Sequence, residues 1–292
     1  MKLLRASHLG MCFGVRDAIA LAVAEAQHQP LTILGELVHN ETVLADLRAQ
    51  GIRFASQPAT AETDTVMVTA HGASEAAKTR ARARGLHVLE ATCPLVHVAH
   101  RAVQSLVRDG FHPVIIGKRD HVEVRGLTED LAACDIVLTE DEINALHERP
   151  RFGVAAQTTQ PIERVRQLVA LLRARFPQSE VRFVDTVCQP TKQRQSAAEE
   201  LARQCDVVVV IGGAHSNNTR ELVATCARFC PRVHHVQGPD ELRPEWFVGA
   251  ETVGLTAGTS TPDTTIDAVE QALWRIAAQP EGHLASAVHL AA

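Results

Sequence analysis

The stretch Val207-Val208-Val209-Val210-Ile211-Gly212-Gly213-Ala214-His215-Ser216-Asn217-Asn218-Thr219 decides the fold. Its first five residues are apolar and β-branched without interruption, as in a strand covered on both faces rather than one with a wet side. A polar loop carrying His, Ser and Asn follows, and a helical pattern then runs over Thr219–Phe229. In open α/β sheets ligands bind there, beyond the carboxyl ends of the strands.

The same alternation extends in both directions. Strands are expected at Lys2–Ala6, Leu31–Leu34, Thr65–Thr69, Val88–Ala91, Pro113–Ile116, Ile136–Thr139, Gly153–Ala156, Val181–Asp185, Val233–Val236 and Thr252–Leu255. Helices are expected at Val15–Ala26, Thr42–Gln50, Glu75–Arg84, Val96–Val107, Ile162–Arg175, Thr191–Gln204 and Thr264–Ala277. In Val96–Val107 the residues Val96, Ala99, Val103, Leu106 and Val107 form one apolar stripe. Strand–helix alternation of this kind predicts an α/β architecture with mainly parallel sheets.

Three times a strand ends in a loop, a cysteine follows, and a helix begins. These places are Gly10-Met11-Cys12-Phe13-Gly14, Ala91-Thr92-Cys93-Pro94 and Thr186-Val187-Cys188-Gln189-Pro190. The separations match small α/β units, each presenting a cysteine at its strand-to-helix edge. A cysteine at a helix N-terminus meets unpaired N–H groups and the positive end of the dipole, which favour thiolate, the metal-binding form. Cys134, Cys205, Cys226 and Cys230 lack this setting and read as small buried hydrophobes. Spacing alone leaves a shared metal or cluster open, because no compact zinc motif and no local iron–sulfur run is present.

Composition narrows the function. The 292 residues are 46% hydrophobic and 22% charged, with a net charge of −5 and no Tyr, which suits a soluble protein and argues against a dedicated nucleic-acid binder. No signal-peptide pattern is visible, and the longest apolar run, Val207–Ile211, is far too short to span a bilayer, so a cytoplasmic protein is expected. Seven cysteines in that compartment read as thiols or ligands rather than disulfides. Neither a Walker loop nor GxGxxG occurs, which disfavours nucleotide- or NAD-driven chemistry.

Other strand ends carry polar clusters: Val38-His39-Asn40-Glu41, Ala70-His71-Gly72-Ala73-Ser74, Asp120-His121-Val122-Glu123, Gln157-Thr158-Thr159-Gln160-Pro161, His215-Ser216-Asn217-Asn218-Thr219 and Gly258-Thr259-Ser260-Thr261-Pro262. Any one of them reads equally well as a helix cap. Their number is what points to an anion-binding pocket of imidazole, hydroxyl and amide donors.

In chain order these segments, with Ala91-Thr92-Cys93-Pro94-Leu95, Val187-Cys188, Arg194-Gln195 and Thr256-Ala257-Gly258-Thr259-Ser260-Thr261-Pro262-Asp263, resemble the LytB/IspH family of 4-hydroxy-3-methylbut-2-enyl diphosphate reductases. The likeness covers almost the whole chain. It implies three α/β units in pseudo-threefold arrangement around a central 4Fe–4S cluster, the units being 13–93, 94–185, and 1–12 with 186–279, followed by a tail, 280–292. Cys12, Cys93 and Cys188 would be the ligands, leaving one iron open to the substrate hydroxyl. The implied reaction is reductive dehydroxylation to isopentenyl and dimethylallyl diphosphate, with electrons from a ferredoxin or flavodoxin. Glu123 becomes the proton donor and Thr158 orients the substrate hydroxyl. His39, His71, His121, Ser216, Asn217, Asn218 and Ser260 become the diphosphate pocket, with its histidines expected to be protonated. The chain departs from the family pattern at Val122 (usually Pro), Arg125 (usually Glu), His215 (usually Asn) and Asn217 (usually Ser). Three other readings use the same residues: a paralogue acting on a related allylic diphosphate, a zinc hydrolase in which Glu123 activates water, and a non-catalytic redox or oxygen sensor.

Overall fold

The computed structural model describes residues Met1–Ala278; the expected tail, 280–292, lies outside them. Three four-stranded, wholly parallel sheets are present. One contains β2 (Leu31–Leu34), β3 (Arg53–Ala55), β4 (Thr65–Val68) and β5 (His87–Glu90) in the order β3-β2-β4-β5. Another contains β6 (His112–Ile116), β7 (Asp135–Val137), β8 (Arg151–Ala156) and β9 (Glu180–Phe183) in the order β7-β6-β8-β9. Both therefore place their strands second–first–third–fourth. The remaining sheet follows the same plan with β10 (Val207–Ile211), β11 (Val233–Val236) and β12 (Thr252–Ala257), but its fourth strand is the chain's own beginning, β1 (Lys2–Arg5).

Central strands are the most deeply covered. All residues of β4 and β10 are buried, as expected of strands packed on both faces. The connecting helices include α1 (Phe13–Ala26), α2 (Glu41–Ala49), α3 (Glu75–Ala83), α4 (Pro94–Arg108), α5 (Val122–Thr128), α6 (Glu140–Asn144), α7 (Ile162–Arg175), α8 (Gln189–Ala202), α9 (Asn217–Ala227) and α10 (Asp263–Ala277). On α4 the expected stripe is buried at Val96, Ala99, Val103 and Leu106, but Val107 is 41% exposed. Val107 sits in the last turn, at the flank of that stripe.

Besides three short 3-10 turns, one strand and two α-helices among the described residues were not expected from the sequence. β3 has only three residues, too few for a periodicity. α6 is a five-residue helix set by a capping box between Thr139 and Glu142. α5 is β-branched and contains Gly126, a composition that disfavours helix, yet it forms with His121 as its cap.

The chain divides into two compact units. The first comprises Met1–Cys12, His39–Glu41 and the residues from Pro190 onward, and holds the sheet of β1 and β10–β12. The second comprises Phe13–Val38 and Thr42–Gln189, and holds the other two sheets. Gly213 explains why His39–Glu41 groups with the first unit: a Cβ built there would overlap the His39 carbonyl oxygen.

Close helix–sheet packing rests on glycine at one strand interior. A Cβ at Gly153 in β8 would lie 2.8 Å from Phe111 Cβ and 2.9 Å from Leu106 Cβ. Gly153→Ala overpacks this core and is expected to cost about 1–3 kcal/mol, read from a urea unfolding midpoint. An unchanged midpoint would mean that α4 is free to move off the sheet.

Candidate active site

The three sheets present their polar residues at equivalent places. The first strand of each ends in a glycine whose N–H donates to the last carbonyl of the second strand: Gly35 to Ala55 at 2.8 Å, Gly117 to Val137 at 2.9 Å and Gly212 to Val236 at 3.0 Å. Five residues past that strand stand His39, His121 and Ser216. Three residues past the third strand stand His71, Thr159 and Ser260. Each expected ligand cysteine follows the fourth strand and opens a helix: Cys12 before α1, Cys93 as the cap of α4 with Pro94 behind it, and Cys188 before α8. Each cysteine donates its N–H to the carbonyl two residues past the third strand: Cys12 to Thr259, Cys93 to Ala70 and Cys188 to Thr158, all at 3.0 Å.

The second unit brings together Glu123, Thr158, His121 and His71. Glu123 is 1% exposed and accepts two hydrogen bonds from Thr158, from its N–H to Oε1 at 2.6 Å and from its Oγ1 to Oε2 at 2.9 Å. Burial outweighs both bonds and lifts the carboxyl from 4.5 to about 7, so it can hold a proton at neutral pH. His121 accepts the Glu123 N–H through Nδ1 at 3.2 Å, capping α5. Its ring meets that of His71 edge to face, with centroids 5.4 Å apart. Beside them, Gln157 ties the strand ends together, taking the Lys118 N–H at 3.1 Å and Gln160 Nε2 at 3.2 Å on one oxygen.

The first unit brings together Cys12, His39, Ser216, Asn217, Asn218 and Ser260. Ser216 caps α9, accepting the Thr219 N–H at 3.3 Å, and Asn217 is the first, buried residue of that helix. Asn218 is 2% exposed and takes the Thr259 N–H on its oxygen at 2.9 Å, while its Nδ2 finds no acceptor. The hydroxyls of Thr219 and Thr256 are buried without a partner as well. Buried polar groups of this kind are costly to leave unpaired. Ser260 Oγ reaches the His39 carbonyl at 3.4 Å. His215 is exposed.

Two contributors were not singled out in the sequence. Arg194, quoted only as part of a motif, is 7% exposed and donates Nε and Nη2 to the Gly10 carbonyl at 3.0 and 2.7 Å. It thereby pins the turn that precedes Cys12. Gly14 is the second: a Cβ there would overlap the Sγ of Cys93. The missing side chain leaves a cradle around that sulfur.

These features fit an iron–sulfur group. Three half-buried thiols open long helices, one is cradled by glycine, and soft thiolates are the donors such clusters use. Three of the remaining cysteines are held in the thiol form. Burial pushes Cys205 up to about 11 and Cys226 up to about 12, and it also raises Cys134, so these thiols are inert.

A model of the LytB protein family matches residues 3–274. The chain belongs to the LytB family. A 4-hydroxy-3-methylbut-2-enyl diphosphate reductase of Aquifex aeolicus is 36% identical over 96% of this chain and 98% of that protein. A reductase of the same name from an Anaeromyxobacter species is 38% identical over 89% of this chain and 92% of that protein. Among solved structures, an (E)-4-hydroxy-3-methyl-but-2-enyl diphosphate reductase described as the terminal enzyme of the non-mevalonate pathway superposes with a TM-score of 0.67 at 35% identity, over 94% of this chain and all of that one. The corresponding reductase from Plasmodium falciparum gives a TM-score of 0.86 at 25% identity, over 96% of this chain and 88% of that one.

Gly14→Ala in this LytB protein is expected to keep the fold while iron and labile sulfide per chain drop severalfold, because the new methyl fills the space beside Cys93. Arg194→Gln should leave the overall circular dichroism unchanged but speed alkylation of Cys12 in the metal-free protein about tenfold. An unaltered alkylation rate would show that the Gly10 carbonyl bonds do not hold that turn.

Proposed function

We propose that this LytB-family chain reduces 4-hydroxy-3-methylbut-2-enyl diphosphate to isopentenyl and dimethylallyl diphosphate. It is an oxidoreductase, as its curated relatives are named. The observation that carries the reading is the buried Glu123 carboxyl, lifted to about 7 and held on both oxygens by Thr158. Loss of a hydroxyl as water takes up two electrons and two protons, and a group that still carries its proton at neutral pH is suited to deliver one. Cys12, Cys93 and Cys188 would hold one 4Fe–4S cluster, which when bound supplies the electrons and an open Lewis-acidic iron for the departing hydroxyl.

The chain's own residues do the rest. Thr158 fixes the carboxyl through two donors and, through its own carbonyl, receives the Cys188 N–H, so acid and cysteine loop share one anchor. His39, His71, His121, Ser216, Asn217, Asn218 and Ser260 would receive the diphosphate. The unpartnered Nδ2 of Asn218 supports this role, since a phosphate oxygen satisfies it. A protonated Glu123 adds no negative charge near a diphosphate, whereas an ionised one would repel it. No helix among the described residues is long and apolar enough to cross a membrane. A cytoplasmic enzyme fed by a ferredoxin or flavodoxin is the reading in keeping with that.

Glu123→Gln should bind substrate and keep the cluster spectrum but lose about 10²–10⁴ in turnover. Because the raised carboxyl acts in its protonated form, wild-type turnover should fall roughly tenfold per pH unit above about 7, and this limb should vanish in the variant. Near-normal turnover by Glu123→Gln removes the proton-donor role. Cys93→Ser should lose iron on anaerobic purification, whereas Cys134→Ser should keep it; equal iron in both would remove Cys93 from the ligand set.

A further inference from the structure

The second unit contains a cavity of about 560 Å³ that the proposed reaction does not use. It lies between α3 and α5. Neither His71, His121, Glu123 nor Thr158 lines it. Its walls are instead the other faces of the same elements. On α5, Val122, Arg125, Gly126 and Glu129 recur at helical spacing and face the cavity, while Glu123 is turned into the protein core. Behind His71, the residues Gly72, Ala73 and Ser74 form part of the wall.

The remaining lining is mostly apolar, with Leu34, Pro58, Val68, Ala81 and Val88 among its residues. Three cations also line it, and two are already neutralised. Lys78, 7% exposed, is paired with Glu90 and with Glu75 at 2.5 Å. Arg80 is paired with Glu129 at 2.6 Å, and Glu129 accepts the Ser74 hydroxyl as well. Arg125 is exposed, and no carboxylate among the described residues pairs with it. The cavity therefore offers an apolar body and one uncompensated guanidinium at its edge. Its size falls within the roughly 300–1,000 Å³ typical of sites for small organic ligands.

We propose that this cavity is a second ligand site, taking an organic anion with a hydrocarbon body, whose head group pairs with Arg125. An occupant touches the reverse sides of the His71 loop and of the helix carrying Glu123, so its binding is coupled to the geometry of those residues. A prenyl diphosphate longer than the substrate and a fatty carboxylate share this chemistry. The inference stands on the cavity alone and does not depend on which reaction the chain performs.

The test is isothermal titration of the anaerobically purified holoprotein with geranyl diphosphate and, separately, with decanoate, each in excess inorganic pyrophosphate to fill any diphosphate pocket. Saturable binding of one equivalent of either ligand is expected. The ligand that binds identifies the head group. Arg125→Glu, which reverses the charge, and Ala77→Phe, which fills the cavity from α3, should each weaken it at least tenfold, while turnover without ligand stays unchanged in Arg125→Glu. Hydrogen exchange should slow at residues 69–74 and 122–129 on binding. Binding of neither ligand, binding indifferent to both substitutions, or protection confined to other segments would overturn the proposal.

Discussion

One backbone hydrogen bond, made three times, organises this protein. A cysteine after the fourth strand of each sheet donates its N–H to the carbonyl two residues past the third strand. That bond ties the thiol to the loop where the polar donors sit. In one sheet the carbonyl belongs to Thr158, which also holds Glu123; in the others it belongs to Ala70, next to His71, and to Thr259, next to Ser260. Each cysteine loop is thus tied to the loop that follows the third strand of its own sheet. Parallel strands make this possible, because every carboxyl end of a sheet points the same way and its loops gather at one edge.

Burial sets the chemistry of the polar cluster in the second unit. It outweighs the two hydrogen bonds from Thr158 and lifts the Glu123 carboxyl to about 7, so this group exchanges its proton near neutrality. His121 caps α5 beside it through Nδ1. In the first unit, Asn218 keeps a buried amide nitrogen that finds no acceptor.

Much of this was legible in the sequence, and for definite reasons. Val207–Ile211 betrayed a parallel strand because five consecutive apolar residues cannot sit on a half-wet sheet. The cysteine recurrence was visible because each thiol precedes a helix start. The threefold plan of the strands was less so: β1 belongs to a sheet whose other members lie at the far end of the chain, and local periodicity carries no information about such pairing. α5 does not show in the sequence because its β-branched residues and Gly126 disfavour helix, and because histidine is not among the side chains that ordinarily signal a helix cap. Gly14 and Arg194 act through contacts with residues distant in the chain, Cys93 and Gly10's turn respectively, which no single motif records.

The pairing of β1 with β12 also sets an order in time. About 250 residues separate β1 and Cys12 from the strand that receives them and from the Thr259 carbonyl that fixes Cys12, so the ribosome delivers the two partners far apart in time. The two sheets of the second unit have all their strands before β12 is made. β1 cannot make this pairing before β12 has left the ribosome. The bond that fixes the turn at Cys12 forms no earlier than Thr259 is made, so the native setting of this cysteine depends on residues remote from it in the chain.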